Sequence, residues 1–435
     1  MTPSVIGIIG IAVMFVLIIF AQMPIGFAMA FVGLIGYGYL VNWNAAFNIV
    51  PLTLYRVVSD YSIALIPLFV IMGQFASISG LSSDVYYAAD KWLRRLPGSL
   101  GLATVFGCSA FAAVCGSSVA TAATMGTIAL PEMKKYKYDA SLATGTVAAG
   151  GTLGFLIPPS IGFVMYGILT EESIGKLLIA GFLPGILLAI LFMSTIMLWV
   201  KLKPSIAPAN PERVGWRERL FSLRGIWGII VIFFLVMGGI YFGFFTPTEA
   251  GSVGAMGTFL FAIGKRQLNW RNLHASLLET ARVACMIFII IAGAFVFGFF
   301  LAVTQIPTLV ASFVTGLAVS RYIVLAIFLV IYLFLGCILD VGAMLVLTIP
   351  VVFPAITALG FDPIWFGVIV VLMMEAGLIT PPVGLNVFII AGVAQDVPMS
   401  TIFRGVMPFL IAMIVVAIIL TIFPDIALFL PSHMF

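Results

Sequence analysis

Two short polar breaks in otherwise apolar sequence carry the residues that could do chemistry. The first is Gly116-Ser117-Ser118, and the second places Asp340 in an apolar stretch that covers residues 336–354. An ionised aspartate near the centre of a bilayer costs roughly 2.5–3.5 kcal/mol on insertion scales. A membrane chain keeps such a residue mainly where it faces protein, water or an ion. We therefore expect both breaks to form the tips of helical hairpins that face a common site.

Two further breaks are proline pairs, within residues 157–160 and 380–382. Proline lacks a backbone N–H and obstructs the carbonyl one turn back, so two in a row should unwind a helix. Non-helical backbone at membrane depth leaves carbonyl and amide groups that must find partners. Carbonyl, hydroxyl and carboxylate oxygens suit a hard monovalent cation, while helix N-termini suit an anion.

These four breaks predict two cation sites, one for each hairpin tip with its neighbouring proline break. The predicted cation-binding residues are Gly116, Ser117, Ser118, Pro158, Asp340, Gly342, Thr380 and Pro381. The predicted substrate-binding residues are Ser117, Ser160 and Asn386. Close helix packing by small residues is the alternative explanation for the glycines and serines. We expect two or more bound cations and no organic cofactor. Because the two histidines lie in a loop and the tail, we expect no transition metal.

Two other acids allow more than one interpretation. Glu375 lies inside an apolar run, where it is either a site or gate residue or a carboxyl group bonded to a neighbouring helix. Glu249 follows a Thr-Pro-Thr sequence, where a first-turn acid is favoured by the helix dipole.

The composition indicates a polytopic helical membrane protein. Of the 435 residues, 63% are hydrophobic and only 8% are charged, whereas soluble domains carry about 25% charged residues. The net charge of +4 does not indicate nucleic-acid binding, because the basic residues lie in short loops. The four cysteines lie in apolar segments, where free cysteine packs as a small hydrophobe, and we expect no disulfide.

The predicted fold is all-α, with two inverted-topology repeats that each contain five spans and one re-entrant hairpin. Both proline pairs and the two tips match at an offset of 223 residues, which aligns Ser117 with Asp340. We expect a polar loop at 42–60 and interfacial segments at 82–97 and 304–320. The predicted repeats cover residues 1–200 and 225–435, and the linker between them covers 201–224. The predicted re-entrant hairpins cover residues 99–131 and 322–354. The predicted broken helices cover residues 138–169 and 363–394.

The basic residues predict the orientation. An odd number of crossings in each half turns the second half upside down. With the first basic clusters inside, all but Arg56, Lys176 and Arg321 of the 20 lysines and arginines fall on one face. The positive-inside rule predicts such a bias, so both termini should face the outside. Inverted repeats with paired broken segments point to a transporter site near the midplane.

The chain resembles the large membrane subunit of TRAP (tripartite ATP-independent periplasmic) transporters, the DctM-like family. The stretches that carry the resemblance are GSSVATAATMG at 116–126, IPPS at 157–160, TPTEAG at 246–251, GCILD at 336–340 and GLITPPVGLN at 377–386. The resemblance covers essentially the whole chain. Since no four-helix extension precedes the first helix, we expect the unfused form.

The resemblance implies sodium-driven import of a small organic anion across the bacterial inner membrane. The two or more expected cations would then be sodium ions. It also implies a periplasmic binding protein that delivers the anion, such as a C4-dicarboxylate, sialic acid or a sulfonate, and a small four-helix membrane subunit. It further implies an elevator mechanism, in which hairpins and broken helices form a transport domain that moves against a scaffold. The alternatives are an ion channel and a membrane-embedded enzyme with Asp340 and Glu375 as an acid pair.

Overall fold

The protein is helical throughout the part of the chain that the structure describes. The computed structural model describes residues 2–208 and 214–434, and these form α-helices, one short 3₁₀ helix and connecting turns, with no strand among them. The predicted all-α fold is therefore confirmed. The centre of the 201–224 linker, residues 209–213, lies outside the described residues, as does the last residue of the predicted second repeat.

The first half of the chain contains eleven helices within its described residues. They are α1 (Pro3–Ile19), α2 (Ile25–Leu40), α3 (Trp43–Ser59), α4 (Leu65–Ile78), α5 (Leu81–Leu93), α6 (Ser99–Cys115), α7 (Ser118–Lys135), α8 (Ala140–Leu156), α9 (Ile161–Thr170), α10 (Ile174–Ala180) and α11 (Phe182–Leu202).

The second half contains ten helices within its described residues. They are α12 (Trp216–Tyr241), α13 (Pro247–Gly264), α14 (Trp270–Thr304), α15 (Ile306–Gly316), α16 (Arg321–Gly336), α17 (Val341–Ala358), α18 (Pro363–Gly377), α19 (Leu385–Val393), α20 (Met399–Ile422) and α21 (Asp425–Ser432).

The predicted polar loop at 42–60 is wrong, because most of it forms α3. The Asn42 side chain accepts a hydrogen bond from the Ala45 amide at 2.7 Å, which caps the helix start. Ala46, Thr53 and Val57 are buried on one face, while the opposite face is exposed. An amphipathic helix of this kind has too low a mean hydropathy to be recognised as a span.

Helix α14 is longer than the predicted span at 283–303. It has 35 residues, which at 1.5 Å per residue gives roughly 52 Å, well beyond the ~30 Å hydrocarbon core. It packs closely on α2: a Cβ at Gly26 would lie 2.6 Å from the Ile289 carbonyl oxygen. Small residues allow such close packing between membrane helices.

Five of the described helices are long and apolar enough to cross a membrane, and two bent pairs raise this number to seven if each is one span. One bent pair is α4 with α5, which meet at 62°; the other is α8 with α9, at 41°. The predicted interfacial segment at 82–97 thus consists largely of α5, whose axis is bent away from the axis of α4. The ten spans of the sequence-based topology remain a prediction.

Candidate functional site

The turn between α6 and α7, residues 116–117, is called tip 1. Gly116 adopts a left-handed conformation with φ of +63°, which favours glycine. Ser117 is extended, and its hydroxyl oxygen accepts a hydrogen bond from the Ala120 amide at 3.4 Å, so it caps α7. A Cβ at Gly116 would lie 2.8 Å from the Pro159 carbonyl oxygen. Tip 1 therefore packs directly on the first proline pair.

The segment between α8 and α9, residues 157–160, is called break 1. Both Pro158 and Ser160 are buried in it. The Ser160 hydroxyl donates to the Phe155 carbonyl at 2.5 Å and accepts from the Phe163 amide at 3.5 Å, which caps α9. The Ile161 amide, just past the break, donates to the Gly116 carbonyl at 3.5 Å. The structure thus brings the predicted residues of tip 1 and break 1 together.

The turn between α16 and α17, residues 337–340, is called tip 2. Asp340 ends it and caps α17, because its Oδ1 accepts a hydrogen bond from the Ala343 amide at 3.0 Å. The side chain is otherwise exposed. An acid at this position is favourable for the helix, since the first amides of α17 and the helix dipole are positive there.

The segment between α18 and α19, residues 378–384, is called break 2. The Gly384 amide donates to the Cys337 carbonyl of tip 2 at 3.3 Å. A Cβ at Gly336 would lie 2.7 Å from the Gly377 Cα, so α16 and α18 touch where both end. The Thr380 hydroxyl donates to the Ala376 carbonyl at 2.7 Å, and Pro381 is exposed. Tip 2 and break 2 therefore meet as tip 1 and break 1 do.

A cavity of about 240 Å³ lies between the two tips. Its polar wall contains Ser117 and Ser118 from the first half and Asp340 and Gly342 from the second. Its apolar wall comes from the first residues of α7 and α17, from α9 and α14, and from the ends of both broken helices: Val119, Phe155, Ile161, Met165, Val283, Met286, Ile287, Ile290, Val341, Leu378 and Leu385. We call it the central cavity. It joins residues that are more than 220 positions apart in the sequence.

A second cavity of about 300 Å³ adjoins the first, and Ser117 lines both. This cavity also contains Gln74, Thr124 and Glu279. Glu279 lies in the charged N-terminal part of α14. We interpret the second cavity as a path from the central cavity towards that end of α14.

Some of the predicted residues do not line the central cavity in this structure. Among the described residues, Gly116, Pro158, Ser160, Thr380, Pro381 and Asn386 are missing from its wall. Asn386 is fully buried, and its amide nitrogen donates to the Ala148 carbonyl of α8 at 3.4 Å. Its predicted role, like that of the other site residues, stays a prediction.

Glu375 makes a contact that the sequence did not reveal. The side chain is fully buried in α18, and its Oε1 accepts a hydrogen bond from the Ser118 hydroxyl at 2.6 Å. Its Oε2 has no hydrogen-bond partner among the described residues. An acid in an apolar run was a visible signal, but its partner 257 residues away was not.

Comparison with known proteins decides the family. The model of the tripartite ATP-independent periplasmic transporter DctM component matches residues 11–426. This chain belongs to the DctM family. It is 38% identical to the C4-dicarboxylate TRAP transporter large permease protein DctM of Pseudomonas aeruginosa, over 87% of this chain and 88% of the relative. It is 29% identical to the sialic acid TRAP transporter large permease protein SiaM of Vibrio cholerae, over 99% and 98%.

A solved structure supports the fold. The crystal structure of the Alcanivorax borkumensis YdaH transporter superposes with a TM-score of 0.63, at 13% identity, over 90% of this chain and 88% of that one. At that identity the similarity concerns the fold alone.

DctM membership makes this chain a permease subunit of a membrane transporter, not an enzyme. The enzyme alternative is wrong, and the geometry agrees. Asp340 caps α17 at the central cavity, whereas Glu375 is fully buried against Ser118, so the two acids have different partners. In this DctM protein Glu249 forms a capping box with Thr246 at the start of α13, as expected of a first-turn acid.

Proposed function

We propose that this chain is the permease subunit of a sodium-coupled secondary transporter that imports a small organic anion. A periplasmic binding protein delivers the anion, and a small four-helix membrane subunit completes the complex in the bacterial inner membrane. The two relatives named above carry a C4-dicarboxylate and sialic acid, which are both organic acids. These names support the substrate class without choosing a substrate.

The observation that carries the proposal is the central cavity between the tips. Helices α7 and α17 begin at its wall, so their N-terminal amides provide partial positive charge for an anion. Asp340, the serine hydroxyls and the backbone carbonyls of the tips provide oxygen ligands for a hard cation. Anion and cation binding close together is the arrangement that coupled transport needs.

We assign the first sodium site to Gly116, Ser117, Ser118 and Pro158. We assign the second to Asp340, Gly342, Thr380 and Pro381. Ser117 is the proposed substrate contact that lines the central cavity in this state. Contact of substrate with Ser160 or Asn386 would require the tips and breaks to separate, because both side chains are fully buried here.

The proposed mechanism is an elevator built on two inverted repeats, with both termini periplasmic. The Ile161 amide donates a hydrogen bond to a carbonyl of tip 1, and the Gly384 amide donates one to a carbonyl of tip 2. These two donors match at the 223-residue offset. This correspondence supports two copies of one module. Hairpins and broken helices would move together, while α2 and α14, which pack backbone against backbone, would belong to the scaffold.

The test is uptake into proteoliposomes that contain this chain, the small subunit and the binding protein. An inward sodium gradient should drive accumulation of the anion that the binding protein carries. If uptake were equally fast and equally concentrative without a sodium gradient, sodium coupling would be refuted. Candidate anions can be chosen first as those that raise the melting temperature of the binding protein.

A further inference from the structure

The two tips differ in charge. Tip 2 ends in Asp340, whereas the corresponding position of tip 1 is Ser117, and residues 115–126 contain no acid at all. If each tip holds a cation, tip 1 would have to hold it with neutral oxygens alone. A buried cation without a counter-charge is costly in a medium of low dielectric.

The second half of the chain supplies an acid to tip 1. Ser118 is the first residue of α7, directly after the tip, and its hydroxyl donates to Glu375 of α18 at 2.6 Å. The residues around this bond hold Glu375 in place. Ser118 is 1% exposed and Glu375 is 0% exposed.

The glycines of α8 allow polar atoms to approach the helix closely at this point. A Cβ on Gly151 of α8 would lie 3.1 Å from the Ser118 carbonyl oxygen and 3.2 Å from the Asn386 amide nitrogen. One turn later, a Cβ on Gly154 would lie 2.6 Å from the Ser117 carbonyl oxygen. The carbonyls of Ser117 and Ser118 are thus packed on the glycine face of α8.

Three oxygen atoms in this region have no hydrogen-bond partner. Glu375 Oε2, Asn386 Oδ1 and Thr121 Oγ1 are buried and lack a partner among the described residues. A buried acceptor without a partner costs about 1–3 kcal/mol, and more if it is charged. Intramembrane acids that persist usually mark ion pathways.

We propose that Glu375 provides the negative charge of the cation site at tip 1, as Asp340 does at tip 2. This inference rests on the proposed sodium coupling and deepens it. The acid of tip 1 comes from the opposite half of the chain, so a cation bound there would link α7 to α18. Occupancy of tip 1 would then depend on how the two halves are packed against each other.

The matched experiment compares Glu375→Gln with Glu249→Gln. Glutamine keeps a carbonyl oxygen to accept the Ser118 hydroxyl, so the first variant removes the charge and retains the hydrogen bond. Glu249 is exposed in the capping box of α13, where glutamine also serves. Sodium is titrated in the proteoliposome uptake assay, and sodium is also titrated against the melting temperature of the purified chain.

Glu375→Gln should raise the sodium concentration for half-maximal uptake by about tenfold or more, since about 1.4 kcal/mol is one factor of ten. The KM for the anion at saturating sodium should change much less, and Glu249→Gln should change neither. If the half-saturating sodium concentration of Glu375→Gln stays within about twofold of wild type, the charge has no part in cation binding and the proposal is overturned.

One further variant keeps the test decisive if Glu375→Gln folds poorly. Ser118→Ala removes the hydroxyl from the other side and should also weaken sodium binding. If Glu375→Gln folds well, the double variant should show an effect smaller than the sum of the two, because contacting residues of one site couple. Unchanged sodium dependence in Ser118→Ala, with full uptake, would overturn the proposal.

Asp340→Asn distinguishes this inference from the proposed function. If Asp340→Asn weakens sodium dependence and Glu375→Gln does not, only the role of Glu375 fails. If wild-type uptake and melting temperature do not respond to sodium at all, the sodium coupling itself fails.

Discussion

Asp340→Asn separates the two roles of the acid at tip 2, which are to cap α17 and to provide negative charge. Oδ1 of Asp340 accepts from the Ala343 amide at 3.0 Å and caps α17, while its charge faces the central cavity. Asparagine is as good a cap as aspartate. The substitution therefore keeps the cap and removes the charge, apart from a contribution of the charge to the helix dipole of less than about 1 kcal/mol.

The magnitude follows from the position of the side chain. Two unit charges about 4 Å apart attract by about 1 kcal/mol in water and by about 4 kcal/mol at the effective dielectric near a protein surface. These limits correspond to about a fivefold and about a thousandfold loss of sodium affinity. Because Asp340 is exposed to the cavity, we expect a loss near the lower limit, roughly five- to fiftyfold.

The assay is sodium-dependent uptake in proteoliposomes, with the melting temperature as a control for folding. Asp340→Ala provides the comparison, because it loses both charge and cap and should cost about 1 kcal/mol of stability in addition. If Asp340→Asn transported at the wild-type rate with unchanged sodium affinity, the carboxylate would not contact the cation, and the reasoning about tip 2 would be refuted.

Three other predictions concern packing, motion and pH. Gly405→Ala should destabilise the protein by about 1–3 kcal/mol in thermal unfolding, because its Cβ would overlap a carbonyl of α8, whereas Gly238→Ala, with open space at its Cβ, should not. The side chains of Arg56 and Glu171 form an exposed ion pair between α3 and the end of α9. If both are replaced by cysteine and cross-linked with a thiol reagent, uptake should stop if an elevator operates. Unimpaired uptake would contradict that motion. A hydrogen bond from Lys134 of α7 holds the pKa of Asp396 below its ordinary value. Wild type should therefore be more stable than Asp396→Asn at neutral pH, and this advantage should be lost as the pH falls through the lowered pKa. An advantage that persisted in acid would contradict this.

The order of hairpins and broken helices could be predicted because it rests on strong local signals. Paired prolines cannot continue a helix, and the structure ends α8 and α18 within a few residues of them. The breaks at tip 1 and at Asp340 likewise fall where polar or glycine residues interrupt apolar runs. These signals depend on backbone chemistry, which acts over a few residues.

The elements that were missed depend on tertiary contacts or have a mixed composition. Helix α3 contains Asn44, Asn48 and Pro51 among its apolar residues, so its mean hydropathy resembles that of a loop. The first part of α14 lies outside the predicted spans for the same reason, whereas α21, with eight residues, is too short for a span. A search for long apolar runs finds helices that are apolar on all sides and misses helices that are amphipathic.

The contact between Ser118 and Glu375 could not be predicted from the sequence. Both residues were visible as unusual polar groups in apolar surroundings, but a sequence alone does not say which halves of a chain pack together. The structure supplies that information at 2.6 Å. This hydrogen bond connects the start of α7, next to tip 1, to the second half of the chain. The repeat pattern predicted only that tip 1 and tip 2 are similar to each other.

The most direct test is a cryo-electron microscopy map of this chain with its small subunit in the presence of sodium and the transported anion. The account predicts anion density in the cavity between Ser117 and Asp340, with cation density at coordinating distance from the oxygens of each tip. Anion density at another place, or tips without any cation density at saturating sodium, would contradict it.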